Sequence, residues 1–227
     1  MKLFSTTIAT AVALMLSAGA SAMENGAQSQ KTDAMANQKH ESMKMDSAHM
    51  QRMMQAWPKA SREAVAFMTK KYGPPAAMTS GMAVWGKTGP WKRTIVYGTA
   101  VPHNFPGPHP DVMQQFIDYK VPVSMYDELA QYDGSVVLER TSGEMSARCD
   151  KEGANFLALN LANDIVTGKR SVADARKMYG EQIMAMKAKK SAPYTEKLLF
   201  SASGDTRDPD QALKMMGPMA KDKKKAN

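Results

Sequence analysis

The sequence predicts an α+β fold: one domain in which a small, mostly antiparallel sheet is packed by three or more helices. A turn followed by a β-branched run at 133–138 predicts a strand. Two further strand patterns, joined by a glycine-rich turn, lie within 82–97 and predict a hairpin. An apolar repeat at four-residue spacing predicts a long helix after the first strand. The repeat consists of Leu157, Leu161 and Ile165.

Residues 1–22 have the pattern of a secretory signal peptide. Lys2 precedes a short apolar run that ends in Ala20-Ser21-Ala22, an A-x-A cleavage pattern. An uncleaved membrane anchor is the alternative, but the run is short for a bilayer span and no stop-transfer pattern follows it. We therefore expect cleavage after Ala22 and export to a Gram-negative-type periplasm.

The basic composition says little about a partner. A net charge of +8 would usually suggest nucleic acid, but the predicted export argues against that class of partner. The lysine-rich end, including 223–225, predicts a flexible, solvated tail over 202–227. Weak contact between this tail and anionic lipid headgroups is the alternative.

Residues 23–56 predict a disordered arm that becomes helical from Ser47, because they are polar and contain no aromatic residue before Trp57. This arm holds half of the four histidines and a cluster of methionines. Thioether and imidazole groups suit Cu(I) and Ag(I), and a flexible cluster binds such ions without a preformed cage. The candidate ligands are His40, Met43, Met45, His49, Met50 and Met53.

The H-x-x-M spacing from His40 to Met43, followed by Met45 and His49-Met50, resembles the periplasmic silver- and copper-binding proteins of bacterial metal resistance. This resemblance covers only the arm and implies a buffer or sensor of Cu(I) or Ag(I) that uses the six ligands above. The alternative is compositional, since methionine occurs 21 times in the chain.

The globular domain is predicted to span 57–201, and its proline-rich stretch 101–111 contains the other two histidines, His103 and His109. Four prolines predict an ordered loop without regular structure. With Asp111, the two imidazoles are candidates for a metal site, or for a general base with its orienting acid. The alternative is a structural loop in which Asp111 caps a helix over 112–119.

The single cysteine, Cys149, excludes an internal disulfide. Asp150 is predicted to cap the long helix, which would place the thiol at a helix N-terminus, where a thiolate is favoured. A reactive thiol and an inert buried thiol both stay open.

A dense group of charges around the predicted Ser142-Gly143 turn also allows two interpretations. It could hold an anionic ligand or shift the pKa of a carboxyl group, or it could be a set of salt links that fixes the end of a hairpin. The charged residues are Glu139, Arg140, Glu144, Arg148 and Asp150.

The C-terminal part of the domain predicts one more helix and one more strand. Ser171 and Asp174 form a capping-box variant at the start of the helix, whose apolar stripe is predicted to be core and not a cofactor site. The run 194–200 predicts the last strand. The stripe consists of Val172, Ala175, Tyr179, Ile183 and Met186.

From Trp85 to Ile165 the chain looks like a group of uncharacterised exported bacterial proteins. The stretches that carry the likeness are VPHNFPGPHPD, IDYKVP, DGSVVLERTSGEMSARCD and NFLALNLANDI. The resemblance implies a shared fold and transfers no activity.

Three functions follow as hypotheses. The first is a metal-binding protein whose arm captures Cu(I) or Ag(I), with possible transfer to His103 and His109. The second is a hydrolase-like enzyme or a small-ligand-binding domain that uses the same two histidines. The third is a non-catalytic envelope protein. No serine–histidine or cysteine–histidine sequence signature marks a catalytic centre, so binding is favoured over catalysis.

Overall fold

The computed structural model describes residues 47–202, together with 210 and 213. The folded unit begins at Met50. Its six-stranded antiparallel sheet, with five helices among the described residues, confirms the α+β prediction. The predicted signal peptide, most of the arm and nearly all of the tail lie outside the described residues.

The helices and strands alternate along the chain in short groups. The helices are α1 Ser47–Met53, α2 Lys59–Tyr72, α3 Tyr126–Tyr132, α4 Glu152–Val166 and α5 Val172–Lys187. The strands are β1 Ala77–Met78, β2 Met82–Trp85, β3 Arg93–His103, β4 His109–Asp118, β5 Val136–Glu139 and β6 Glu144–Cys149. The sheet order is β1-β2-β3-β4-β6-β5, and every pair of neighbours is antiparallel.

Helix α4 forms the centre of the core, as its leucine repeat predicts. The repeat residues are buried, and so are the polar residues Asn155 and Asp164. Asn155 donates from Nδ2 to the Gln115 side chain and to a strand carbonyl, and Asp164 accepts from the Tyr194 hydroxyl. These hydrogen bonds compensate for the burial of Asn155 Nδ2 and of the Asp164 carboxylate, whereas Asn155 Oδ1 has no hydrogen-bond partner. Helix α4 is therefore enclosed on nearly every side.

Strand β6 lies in the chain between the strand predicted at 133–138, which is β5, and the predicted long helix, which is α4. It lies between β4 and β5 and ends at Cys149, so the thiol is at a strand end. The prediction that Asp150 caps α4 is wrong, because the helix begins at Glu152 and Lys151 occupies the cap position. The capping box at Ser171 is confirmed: its Oγ accepts from the Asp174 amide.

The prediction of an irregular loop over 101–111 is wrong for both ends of that stretch. Residues 101–103 extend β3 and pair with the first residues of β4, and the predicted helix over 112–119 is strand for most of its length. Pro102 and Pro110 are opposite each other, so neither proline breaks a ladder that needs its N–H. The prediction of a strand at 194–200 is also wrong, because the chain forms a 3₁₀ turn at Pro193–Thr195 and is irregular after it.

Within the described part of the chain, none of the helices has both the length and the hydropathy that crossing a membrane requires.

Candidate metal centre

A break in the pairing of β3 with β4 brings the two domain histidines together. Val96 pairs with Met113 and Val101 pairs with Asp111, so β3 advances five residues while β4 advances two. Side chains alternate between the two faces of a strand, so an odd number of additional residues reverses the alternation. The side chains of β3 after the break therefore lie on the face opposite to the one that regular pairing would give them. As a result, His103 is directly opposite His109, on the sheet face to which Met113 belongs.

His103, His109 and Asp111 form a compact group, hereafter the His–Asp cluster. Asp111 follows His109 by two residues and so shares its face of the strand. One ligand atom from each of the three residues lies within 4.8 Å of the others. The imidazole ring centroids are 4.9 Å apart.

The Asp111 carboxylate lies between the two imidazoles. Its Oδ2 is 3.3 Å from His103 Nδ1, and its Oδ1 is 3.3 Å from His109 Nε2. The carboxylate side chain is only 5% exposed. Asp111 Oδ1 and His103 Nδ1 are nevertheless buried without an aligned hydrogen bond. Buried polar atoms are normally hydrogen-bonded, whereas these two atoms are held only by charge attraction across 3.3 Å.

The remaining ring nitrogens face other acceptors. His109 Nδ1 is 2.8 Å from the Gly107 carbonyl oxygen, which can only accept a hydrogen bond. His103 Nε2 is 3.7 Å from Asp133 Oδ1, too far for a hydrogen bond, and that oxygen accepts from the Ser135 amide and hydroxyl at 2.8 Å each. The contact with the Gly107 carbonyl oxygen places a proton on His109 Nδ1, and Nε2 is the ring nitrogen of His109 that faces Asp111.

The electrostatics of the group follow from burial and mutual contact. Interaction with Asp111, and then with Cys149, raises the pKa of His109 to about 11. In the absence of another cation, His109 is therefore an imidazolium that balances the buried carboxylate. Burial raises the pKa of Asp133, although its hydrogen bonds from Ser135 act in the opposite direction.

A cavity of about 380 Å³ opens beside His109 and gives the site a connection to its surroundings. Cys149 lines the same cavity and interacts with the His109 imidazole, while burial raises the pKa of the thiol. Three members of the stripe predicted to be pure core, Tyr179, Ile183 and Met186, also line this cavity. Of the three, only Tyr179 is fully buried, so the stripe is partly core and partly cavity wall.

The sequence-predicted arm ligands do not form a described group. His40, Met43 and Met45 lie outside the described residues. His49 is exposed, whereas Met50 is 8% exposed and belongs to the core of the folded unit. The predicted helical start at Ser47 is confirmed by α1.

The charged residues around the Ser142-Gly143 turn do not gather into one site. Glu144 is buried and forms ion pairs with Arg93, the first residue of β3, and with Lys92, the residue before it. Arg148 instead stacks over the Tyr97 ring. The structural interpretation of salt links fits these contacts.

Asp133 is the member of the site that the sequence did not reveal. Its only signal was an Asp-Gly turn, which predicts a loop and not a neighbour of His103. That contact depends on how α3 packs at the end of the sheet, because Asp133 is the cap residue at the C-terminus of α3. Tertiary packing of this kind leaves no local pattern.

Comparison with known proteins provides no relative: no family model, no curated protein and no solved structure matches the chain. The resemblance of 85–165 to exported bacterial proteins therefore stays a prediction. Function must be argued from the geometry and chemistry of the site itself.

Proposed function

We propose that this protein is an exported metal-binding protein whose folded domain holds one transition-metal ion in the His–Asp cluster. The supporting observation is that three potential ligand atoms, on two paired strands, lie within 4.8 Å of one another around an incompletely hydrogen-bonded carboxylate. Two imidazoles and one carboxylate are the donors preferred by zinc, iron, cobalt and copper ions.

The surroundings of the cluster support a metal ligand role for both imidazoles. Metal-binding histidines usually donate their second ring N–H to a carbonyl or a carboxylate. Gly107 O fills that position for His109 at 2.8 Å, whereas Asp133 Oδ1 lies 3.7 Å from His103 Nε2, on the corresponding side of that ring but beyond hydrogen-bond distance. A metal ion would take the place of the proton that His109 holds in its absence.

A histidine-based hydrolase is less well supported by the same geometry. A thiol nucleophile needs an imidazole nitrogen that is free to accept its proton. His109 Nδ1 faces a carbonyl oxygen and Nε2 faces Asp111, so neither nitrogen is reserved for Cys149.

The experiment is a calorimetric titration in which Zn²⁺ is added to the protein that lacks its predicted signal peptide. The test variant is His109→Ala, and the matched control is His49→Ala, which removes an exposed imidazole. We expect one tight site in the original chain and in the control, and its loss in His109→Ala. Equal binding by all three proteins would refute the domain site.

Soft-metal capture by the arm is the second candidate function, favoured by the exposure of the His49 imidazole. Its test is Cu(I) competition with a chromophoric chelator. The deletion should cover 23–46 only, since Met50 contributes to the core. We expect Cu(I) binding to weaken in this deletion while Zn²⁺ binding by the His–Asp cluster is unchanged. Unaltered Cu(I) competition would contradict a role for the arm.

A further inference from the structure

We infer that the cavity beside His109 is a binding pocket for a small organic anion, a carboxylate with an apolar body, and that Lys187 recognises its charge. This inference goes beyond the metal centre, because it requires no ion in the His–Asp cluster. The cavity volume of about 380 Å³ lies within the usual size range of small-molecule pockets in proteins.

The apolar wall of the cavity is the first argument. Helix α5 buries Ala175 and Tyr179 in the core. Its apolar stripe then continues to Ile183 and Met186, which are half-buried and line the cavity. The apolar surface that the core leaves uncovered on these two side chains therefore belongs to a concave wall. Predominantly apolar walls are typical of pockets that bind small molecules.

A second wall is held in place by the protein itself. Pro106 and Pro108, from the connection between β3 and β4, line the cavity together with Pro110 at the start of β4. Proline fixes φ, so this wall loses little conformational freedom when a ligand binds. The ring of Phe105 lies 5.0 Å from the ring of Tyr179, which holds the connection against α5. The pocket is therefore largely preformed.

Charge identifies the class of ligand. Asp150 lines the cavity, but its Oδ2 already forms an ion pair with Lys151. The ring nitrogens of His109 face other groups of the protein, so this imidazole offers no free donor to a ligand. Lys187 is exposed and lines the cavity, and among the described acids none forms an ion pair with it. This ammonium group attracts a carboxylate and repels a second cation.

The test measures binding of the fluorescent anion anilinonaphthalene sulfonate, which reports on apolar sites, to the whole chain without its predicted signal peptide. EDTA is present throughout, so the result is independent of Zn²⁺ binding by the His–Asp cluster. We expect one saturable site from which octanoate displaces the probe. Octanol and the octylammonium ion have the same apolar chain without the negative charge, so we expect both to displace it less well.

Two matched pairs of variants locate the binding. Ile183→Trp fills the cavity, whereas Met184→Trp adds the same ring at a position that is 67% exposed and outside the cavity lining. We expect Ile183→Trp to weaken octanoate binding at least about tenfold and Met184→Trp to leave it unchanged. Lys187→Gln should weaken it about threefold, as loss of an exposed ion pair does. Lys190→Gln, at an exposed position outside the cavity lining, should have no effect.

Three results would overturn the pocket. They are absence of a saturable site for the fluorescent probe, equal displacement by octanoate, octanol and the octylammonium ion, and unchanged octanoate binding in Lys187→Gln. Lys187→Gln alters only an exposed side chain, so the test does not depend on how Ile183→Trp folds. None of these results bears on the His–Asp cluster, which the Zn²⁺ titration tests separately.

Discussion

Two buried polar groups, one at the start of α4 and one on the sheet, differ in how completely their atoms are paired. In the first, both oxygens of Glu152 have partners: Oε1 accepts from the Tyr72 hydroxyl at 2.7 Å and from Trp91 Nε1 at 2.8 Å, and Oε2 pairs with Lys71. In the His–Asp cluster, Asp111 Oδ1 and His103 Nδ1 lack aligned partners. A fully paired group stabilises one fold, while an incompletely paired group has capacity for a ligand.

The contrast extends to charge. The Glu152 carboxylate is 4% exposed and is balanced by a lysine from α2. In the His–Asp cluster the corresponding balance is a proton on His109, whose pKa is raised to about 11. A proton can be exchanged for a metal ion, whereas the ammonium group of a lysine is a fixed part of the chain. We therefore expect mutations in the two groups to separate stability from metal binding.

The largest expected effect on stability is at Glu152. Glu152→Ala leaves the buried Trp91 N–H and the partly buried Tyr72 hydroxyl without an acceptor, which should lower the free energy of unfolding by about 3 kcal/mol. Urea unfolding in the presence of a chelator measures this loss. Glu181→Ala, at an exposed position of α5, is the control and should change stability by less than about 0.5 kcal/mol. Equal effects of both substitutions would contradict the role assigned to Glu152.

The next effect concerns metal-linked stability. Zn²⁺ at about 100 times its dissociation constant should raise the free energy of unfolding by about 2.7 kcal/mol, because it binds only the folded state. Asp111→Asn removes a ligand, so we expect this gain to disappear. Urea unfolding with and without Zn²⁺ provides the measurement. If Asp111→Asn kept the full gain, the ion would bind elsewhere.

A smaller effect is expected at Asp133, which contacts His103 and not the ion. Asp133→Asn should weaken Zn²⁺ affinity about tenfold, as loss of an outer partner of a metal-binding histidine usually does. Calorimetry gives the affinity, and Co²⁺ spectra show whether the visible bands shift as His103 reorients. An altered melting temperature with unchanged affinity and spectrum would make Asp133 a purely structural residue.

The smallest effect is a change in how the free energy of unfolding falls as the pH is lowered. Hydrogen bonds from Arg93, and then from Lys92, lower the pKa of Glu144 although burial opposes the shift. A lowered folded-state pKa stabilises the protein above the unfolded pKa, and that contribution is lost as the pH falls through the folded value. We expect Glu144→Gln to be less stable than the original chain at neutral pH and to lose less stability on acidification. Parallel pH profiles of the two proteins would contradict this account.

Local patterns predicted the elements that depend on local chemistry. The leucine repeat of α4 and the Ser171 cap are confirmed because helix periodicity and capping act within a few residues. Strand β6 was missed because its small and polar residues, including Ser146 and Ala147, carry no β-branched pattern. They are buried only because β6 lies inside the sheet.

The site was predictable in part. His103, His109 and Asp111 were grouped on the sequence as candidates, and the structure brings them together, but through strand pairing instead of a proline-stiffened loop. The irregularity that turns His103 to the face of His109 has no sequence signature. The neighbours Asp133 and Cys149 approach through tertiary packing and through pairing with β6, which depend on residues far apart in the chain.

The most direct test of the central claim is a crystal structure of the Zn²⁺-loaded protein with anomalous data at the zinc absorption edge. We expect one strong anomalous peak bonded to His103 Nδ1, His109 Nε2 and Asp111, at about 2.0–2.2 Å from each. Peaks confined to surface positions, with Asp111 still lying between two metal-free imidazoles, would contradict the proposed metal centre.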